Sequence, residues 1–197
     1  MKKVVSILIV MCVLLSSISI SFAAEPTSLS SQYLNTFSGY RKLANDPDCE
    51  IVSSTIFHID NTYSVIHIQA KKSTNNITMR SNELHYIISY NIWLRGNINV
   101  CDVEFVGFFD YDGSRAWPLR EECDDSTRFI PQEPGCTFAR HSLVTGESGA
   151  LHPKAYAELN YYISDRLGNV RSGKAGTYCT PSGDLSTNNT ADGVHYF

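Results

Sequence analysis

Hydrophobic and polar residues alternate over the twelve positions from Leu84 to Arg95, LHYIISYNIWLR. Successive side chains of a β-strand point to opposite faces, so this pattern places six large apolar groups on one face. The other face is mostly polar and carries Asn91 and Trp93. Isoleucine, tyrosine and tryptophan also suit a pleated, half-buried surface. We therefore predict a long, two-faced strand whose apolar side is covered by a second layer.

Further strand patterns occur on both sides of this segment. Residues 51–70 predict a hairpin that turns at Asp60-Asn61. Residues 98–113 predict a long strand in which Gly107 marks a bulge or a point of close approach. Residues 155–163 alternate again. We predict an all-β fold, an antiparallel β-sandwich or small barrel of about 7–9 strands.

The start of the chain is typical of a secretory signal peptide. Lys2 and Lys3 precede an apolar run from Val4 to Leu15, and Ser21-Phe22-Ala23 resembles an A-x-A cleavage site. No later window reaches the roughly 18 apolar residues that indicate a membrane-spanning helix. We expect a secreted, extracellular protein with no transmembrane segment after removal of the signal.

The remaining chain divides by composition into three parts. Residues 24–48 form an N-terminal segment for which a short helix or a strand is open, because apolar spacing favours a helix while the serine and asparagine content does not. Residues 49–179 form a single β domain, in which the proline-bearing segment 117–135 is expected to be a long loop. Residues 180–197 lack core-forming residues until their end and are expected to be a flexible tail.

Charge argues against nucleic acid as a partner. Removal of Lys2 and Lys3 with the signal leaves fourteen basic and twenty acidic residues, a net charge near −6. Such a chain offers no basic patch for nucleic acid or anionic lipid.

Five cysteines remain after processing, and an oxidising compartment favours their pairing. The most plausible local bridge is Cys123 with Cys136, which would close the polar loop between them. A bridge between Cys49 and Cys179 would join the ends of the domain and would leave Cys101 as a buried free thiol. The spacings lack the paired C-x-x-C pattern of a zinc site.

A carbohydrate platform is the best candidate for a binding site. Trp93 lies on the polar face of the predicted central strand, between Asn91 and Arg95, and Trp117 is the second tryptophan of the chain. Flat aromatic rings with polar neighbours suit contacts with sugar rings. The competing interpretation is that Trp93 is buried in the sandwich.

Metal binding has weaker candidates. Asp110 and Asp112 could supply oxygen ligands to Ca²⁺, but Gly113 directly follows Asp112 and the EF-hand pattern fails. His58 and His67 would lie on one face of the predicted hairpin, and their simpler interpretation is as partly exposed strand residues.

A catalytic alternative rests on Gly146-Glu147-Ser148-Gly149, which resembles the GDSG box around the serine of trypsin-like proteases. The resemblance covers four residues and implies a hydrolase if His141 or His152 reached Ser148, with a carboxylate behind the imidazole. We assign no catalytic residue from it.

Taken together, the sequence predicts a non-enzymatic extracellular binding domain with a glycan or protein partner. A small extracellular hydrolase and a structural envelope or surface protein are the alternatives.

Overall fold

Strands dominate the described part of the chain, which comprises residues 27–72, 85–148 and 154–196 of a computed structural model. The signal peptide predicted at 1–23 lies outside these residues. The strands form two antiparallel sheets, which confirms the predicted all-β sandwich.

The first sheet has seven strands in the order β1-β2-β3-β4-β5-β6, with β7 also paired to β5. These strands are β1 (Thr27–Ser28), β2 (Cys49–His58), β3 (Tyr63–Lys72), β4 (His85–Arg95), β5 (Ile98–Tyr111), β6 (Ala116–Pro118) and β7 (Arg128–Pro131). The second sheet has five strands in the order β12-β11-β10-β9-β8. They are β8 (Thr137–Ser148), β9 (Lys154–Ser164), β10 (Val170–Cys179), β11 (Leu185–Ala191) and β12 (Val194–Tyr196).

Two short helices settle the alternative left open for the N-terminal segment. Helix α1 (Ser31–Leu34) begins after Ser30, whose side chain accepts a hydrogen bond from the backbone N–H of Tyr33 at 3.3 Å. Helix α2 (Ser38–Ala44) follows directly. Each helix buries a leucine, and together they place a small apolar surface against the seven-stranded sheet.

Strand β4 confirms the predicted alternation, and its apolar face is covered by these helices. Ile88, Tyr90 and Ile92 are buried in one cluster with Leu34 of α1 and other helical residues. The fit is close, since a methyl group added at Gly39 would come within 1.9 Å of the Tyr90 hydroxyl oxygen. The layer over the apolar side is therefore helical.

The second sheet covers the opposite face of β4. Its inner face contributes the alternating residues predicted for β9, from Ala155 to Ile163, all of them buried. Gly107 is a point of close approach between the sheets, because a methyl group there would lie 2.0 Å from Thr177 Oγ1. The seven-stranded sheet is thus covered on both faces, and the five-stranded sheet on one.

A set of buried polar side chains crosses the space between the sheets. We call it the inter-sheet polar network: His67, Ser89, Asn91, Thr187 and Asn189. His67 Nδ1 lies 3.0 Å from Asn91 Oδ1, and Asn189 Nδ2 donates to His67 Nε2 at 3.0 Å. Ser89 Oγ donates to Asn189 Oδ1 at 2.8 Å, and Thr187 Oγ1 lies 3.0 Å from His67 Nε2. Residues from both sheets therefore satisfy one another's hydrogen bonds.

These partners fix the state of the imidazole. Because Nε2 accepts from the Asn189 amide, the single proton of a neutral ring belongs on Nδ1, where it is donated to Asn91. Burial lowers the pKa of His67 to about 4, a change that the hydrogen bond to Asn91 only partly offsets. His67 is a neutral core residue, so its interpretation as a partly exposed strand residue is wrong.

The C-terminal segment is structured where a flexible tail was expected. Strand β11 pairs with β10 through seven residue pairs, and β12 pairs with β11. Its inward residues include Thr187 and Asn189, which are polar because their partners on β3 and β4 are polar. The hydrophobicity of the sequence alone therefore does not reveal β11 as a core strand.

The segment 117–135 is also more ordered than the predicted loop. It contains most of β6, helix α3 (Arg120–Asp125) and strand β7. Cys123 of α3 is buried against β5, where its sulfur accepts a hydrogen bond from the Phe108 backbone N–H at 3.3 Å. Packing of this thiol and pairing of β7 with β5 hold the segment on the sheet.

The five described cysteines are free thiols in the structure, and their positions exclude both predicted disulfide bridges. Cys123 contacts Phe108 of β5, whereas Cys136 contacts Cys101 of the same strand. Phe108 and Cys101 are seven residues apart on β5. That separation is roughly 23 Å along a strand, while a disulfide requires Cα atoms within about 7 Å. Cys49 packs on the helical side of the seven-stranded sheet and Cys179 on its other side.

We predict that His67 makes the fold sensitive to mild acid. The pKa of the unfolded chain's imidazole is near 6.5 and that of the folded chain near 4, so the neutral form is favoured in the fold. The stabilisation that comes from the neutral His67 is complete above pH 6.5, and it is lost as the pH falls from 6.5 through 4. We expect the free energy of unfolding, measured by urea denaturation, to fall by roughly 3 kcal/mol between pH 7 and pH 4.

The variant His67→Gln is the control, because its side chain does not titrate. Its free energy of unfolding should be lower than that of the unchanged protein at pH 7, but it should change less between pH 7 and pH 4. Asp165, whose pKa is held below its usual range, acts mainly at lower pH, and Asp102, whose pKa is raised by burial, acts equally in both proteins. Equal slopes for the two proteins would contradict the prediction.

Candidate functional site

The predicted carbohydrate platform on β4 does not exist as a surface. Trp93 is 0% exposed, and its indole Nε1 donates a hydrogen bond to the Tyr161 hydroxyl at 3.1 Å. Asn91 is equally buried within the inter-sheet polar network. Of the two interpretations of Trp93, burial in the sandwich is the one that the structure supports, because the polar face of β4 is the face that packs on the second sheet.

Arg95 lies at the centre of an ionic cluster that closes one end of the sandwich. Its guanidinium contacts Asp165 at 2.6 Å and Glu133 at 2.5 Å, and only 11% of its side chain is exposed. Asp165 also accepts hydrogen bonds from Tyr63 and from Asn169. Burial alone would raise the pKa of Asp165, but these hydrogen bonds and that of Arg95 outweigh it and hold the pKa well below its usual range. The cluster joins β3, β4, the segment before β8 and the β9–β10 turn.

Trp117 and the predicted calcium ligands lie together on the β5–β6 hairpin. Trp117 is half-buried and pairs with Asp110 across the two strands. Asp112 Oδ1 accepts hydrogen bonds from the backbone N–H groups of Ser114 and Arg115, at 2.9 and 2.8 Å. One oxygen of this carboxylate therefore stabilises the turn. Within the described ranges, no three His, Cys, Asp or Glu side chains are grouped as a metal site would require.

The predicted serine–histidine pairing fails for one of its two histidines. Ser148 and His141 are seven residues apart on β8, so roughly 20 Å separates them. His152 lies outside the described residues. His141 instead contacts the Tyr162 ring edge-to-face, with 5.7 Å between ring centroids.

The strongest candidate site is the outer face of the five-stranded sheet, on which none of the described helices or strands packs. Its polar and aromatic residues follow from the same alternation that buries Ala155 to Ile163, since the intervening residues of β9 must point outward. These outward residues of β8 to β11 include Ser142, Tyr156, Glu158, Asn160, Tyr162, Lys174, Tyr178, Asn188 and Thr190. The alternation in β9 predicted the inward residues, whereas their outward neighbours were not recognised as a possible site.

Part of this face forms a shallow, open depression of about 440 Å³, which we call the Tyr162 depression. A polar row crosses it in strand register, from Ser142 through Asn160 and Lys174 to Thr190. Asn160 Nδ2 donates to Ser142 Oγ at 3.1 Å. The register shift beside His141 is a β-bulge, which allows that ring to approach Tyr162 at one end of the depression.

Charges on the outer face are paired. Lys174 Nζ lies 3.2 Å from Glu158 Oε1, and the Tyr178 hydroxyl donates to the same oxygen. Tyr156 and Tyr178 lie side by side, with ring centroids 6.3 Å apart. The face therefore offers aromatic rings, amides and hydroxyls with no strong field of either sign.

Comparison with known proteins finds no match to a family model, to a characterised protein or to a solved structure. Among the helices that the structure describes, none has the length and apolar content to cross a membrane. Fold and site geometry are therefore the basis on which a function can be argued.

We predict that Arg95 is structural and that Arg95→Met strongly destabilises the fold. The methionine keeps an apolar stem but leaves the buried Asp165 without the Arg95 cation and Glu133 with only the more exposed Arg166, whose Nε lies 2.9 Å from it. Breaking such a buried pair costs about 3–5 kcal/mol. Urea denaturation at neutral pH measures this loss.

The matched control is Arg115→Met. Arg115 pairs with Glu147 at 3.3 Å, but its side chain is 62% exposed. Pairs of this kind contribute about 0–1 kcal/mol. Equal destabilisation by the two substitutions would show that burial of the Arg95 cluster contributes nothing.

Proposed function

We propose that this protein is a secreted, non-enzymatic binding domain that holds an uncharged extracellular polysaccharide against the outer face of its five-stranded sheet. The single observation that carries the proposal is the exposed Tyr162 ring beside a row of hydrogen-bonding side chains. Tyr162 is 42% exposed although its strand, β9, is flanked on both sides by β8 and β10.

The chemistry of the Tyr162 depression suits a sugar ring. One face of a pyranose carries C–H groups that pack on an aromatic ring, and its edge carries hydroxyls that both donate and accept hydrogen bonds. Asn160 offers an amide and Ser142 a hydroxyl within the same depression. An aromatic surface with a few convergent polar groups is the usual composition of a small-molecule site.

The shape and charge of the Tyr162 depression favour a polysaccharide chain over a small isolated ligand. The depression is open and lies on a flat sheet, so it would cover one side of a bound sugar and leave its ends free to continue. Lys174 is already paired with Glu158, so the described side chains that line the depression offer no unpaired lysine or arginine to an acidic polysaccharide. A neutral glycan is therefore the class we propose.

We expect Tyr162→Ala to weaken polysaccharide binding at least tenfold, which corresponds to about 1.4 kcal/mol. The secreted protein would be screened on a glycan array and then titrated against the best neutral polysaccharide by affinity electrophoresis. Thermal denaturation of each variant would establish that the fold is retained.

Val144→Ala is the matched control. Val144 is 44% exposed and lies on the same face of the neighbouring strand, outside the Tyr162 depression. It should bind as the unchanged protein does. Equal loss from both substitutions, unchanged binding by Tyr162→Ala, or no binding to any glycan would reject the proposal; the last result would favour a structural or protein-binding role.

A further inference from the structure

Two of the five described thiols lie against each other in the core. The thiols of Cys101 and Cys136 share a hydrogen bond. Cys101 is 0% and Cys136 8% exposed, and both belong to the cluster of buried residues between the sheets. Their contact does not depend on the proposed carbohydrate site.

Backbone pairing brings these two residues together. Cys101 lies opposite Pro131 where β5 pairs with β7. Directly after β7, the N–H groups of Gln132 and Glu133 both donate to the Val100 carbonyl, at 3.1 and 3.0 Å. The Cys136 N–H then donates to the Glu133 carbonyl at 3.2 Å, which turns the chain back toward Cys101.

We propose that Cys101 and Cys136 form a disulfide bond when the chain folds in contact with a small-molecule or protein disulfide as oxidant. This pairing replaces the two bridges predicted from sequence spacing. The bond would close a loop of about 35 residues between Cys101 and Cys136, and this loop would contain α3 and β7.

The chemistry is two successive thiol–disulfide exchanges. The Cys136 thiolate attacks one sulfur of the oxidant disulfide, which breaks that S–S bond and releases one thiol. The Cys101 thiolate then attacks Cys136 in the mixed disulfide and releases the second thiol. Two protons and two electrons leave the protein, and the oxidant is reduced to two thiols.

The environment assigns Cys136 the first attack. The hydrogen bond from Cys101 lowers the pKa of Cys136, whereas the same contact and burial raise the pKa of Cys101. Cys136 is also the more exposed of the two. Burial raises the pKa of Cys123 to about 11, and that thiol is occupied by the backbone of Phe108.

Peptide mapping tests the pairing directly. The chain would be refolded from its reduced, unfolded state in glutathione redox buffer, alkylated, and digested with trypsin without reduction. We expect the peptide of residues 96–115 to be joined to that of residues 129–140, and the Cys123 peptide of residues 121–128 to carry the alkyl group.

Thermal denaturation supplies the second readout. Closing a loop of this length should raise the melting temperature by on the order of 10 °C over that of the reduced protein. Cys101→Ser and Cys136→Ser should lose this shift, and Cys123→Ser should keep it; Cys136→Ser is the variant to use if Cys101→Ser does not fold. Alkylation of both Cys101 and Cys136 after refolding, or a bridge from either to another cysteine, would overturn the proposal.

Discussion

The inter-sheet polar network is the constraint on which the rest of the structure depends. A buried polar group without a partner costs about 1–3 kcal/mol, so each member of the network requires the others in place. His67 belongs to β3, Asn91 to β4 and Asn189 to β11, and their hydrogen bonds are satisfied only in one alignment of the two sheets. A one-residue slip of β3, β4 or β11 within its own sheet would turn these side chains to the opposite face, away from their partners. The network thus fixes register in a core whose apolar contacts alone are less selective.

This arrangement also determines where a ligand can bind. The seven-stranded sheet is covered by α1 and α2 on one side and by the second sheet on the other, so neither of its faces is open over its central strands. The five-stranded sheet has one covered face, and its outer face carries Tyr162 and its polar neighbours. The outer face of the five-stranded sheet is therefore open because the described helices pack on the first sheet alone.

Sequence periodicity predicted which residues share a face but not which layer covers that face. In β4 the alternation was correct, yet Trp93 was a candidate for ligand contact because the face that it shares with Ser89 and Asn91 is mostly polar. The error has a physical cause: partners of these polar groups come from β11, roughly a hundred residues later, and no local pattern reveals them. The same partners explain why β11 was expected to be a flexible tail. Pairing of cysteines failed similarly, because Cys136 meets Cys101 through the β5–β7 pairing, which spacing along the chain does not encode.

Nearly every strand in both sheets is bonded to its neighbour in sequence, and this order bears on how the chain reaches its final state. Contacts between nearby segments require less loop closure, so chains of this type fold faster than sandwiches with long crossovers. Each sheet can assemble its own ladder before it meets the other. In a seven-stranded sheet that has not yet met the second sheet, His67, Ser89 and Asn91 would be exposed to water and would place polar groups in the centre of its open face. A partly folded molecule with such a polar centre is consequently less prone to aggregate than one whose exposed core surface is entirely apolar.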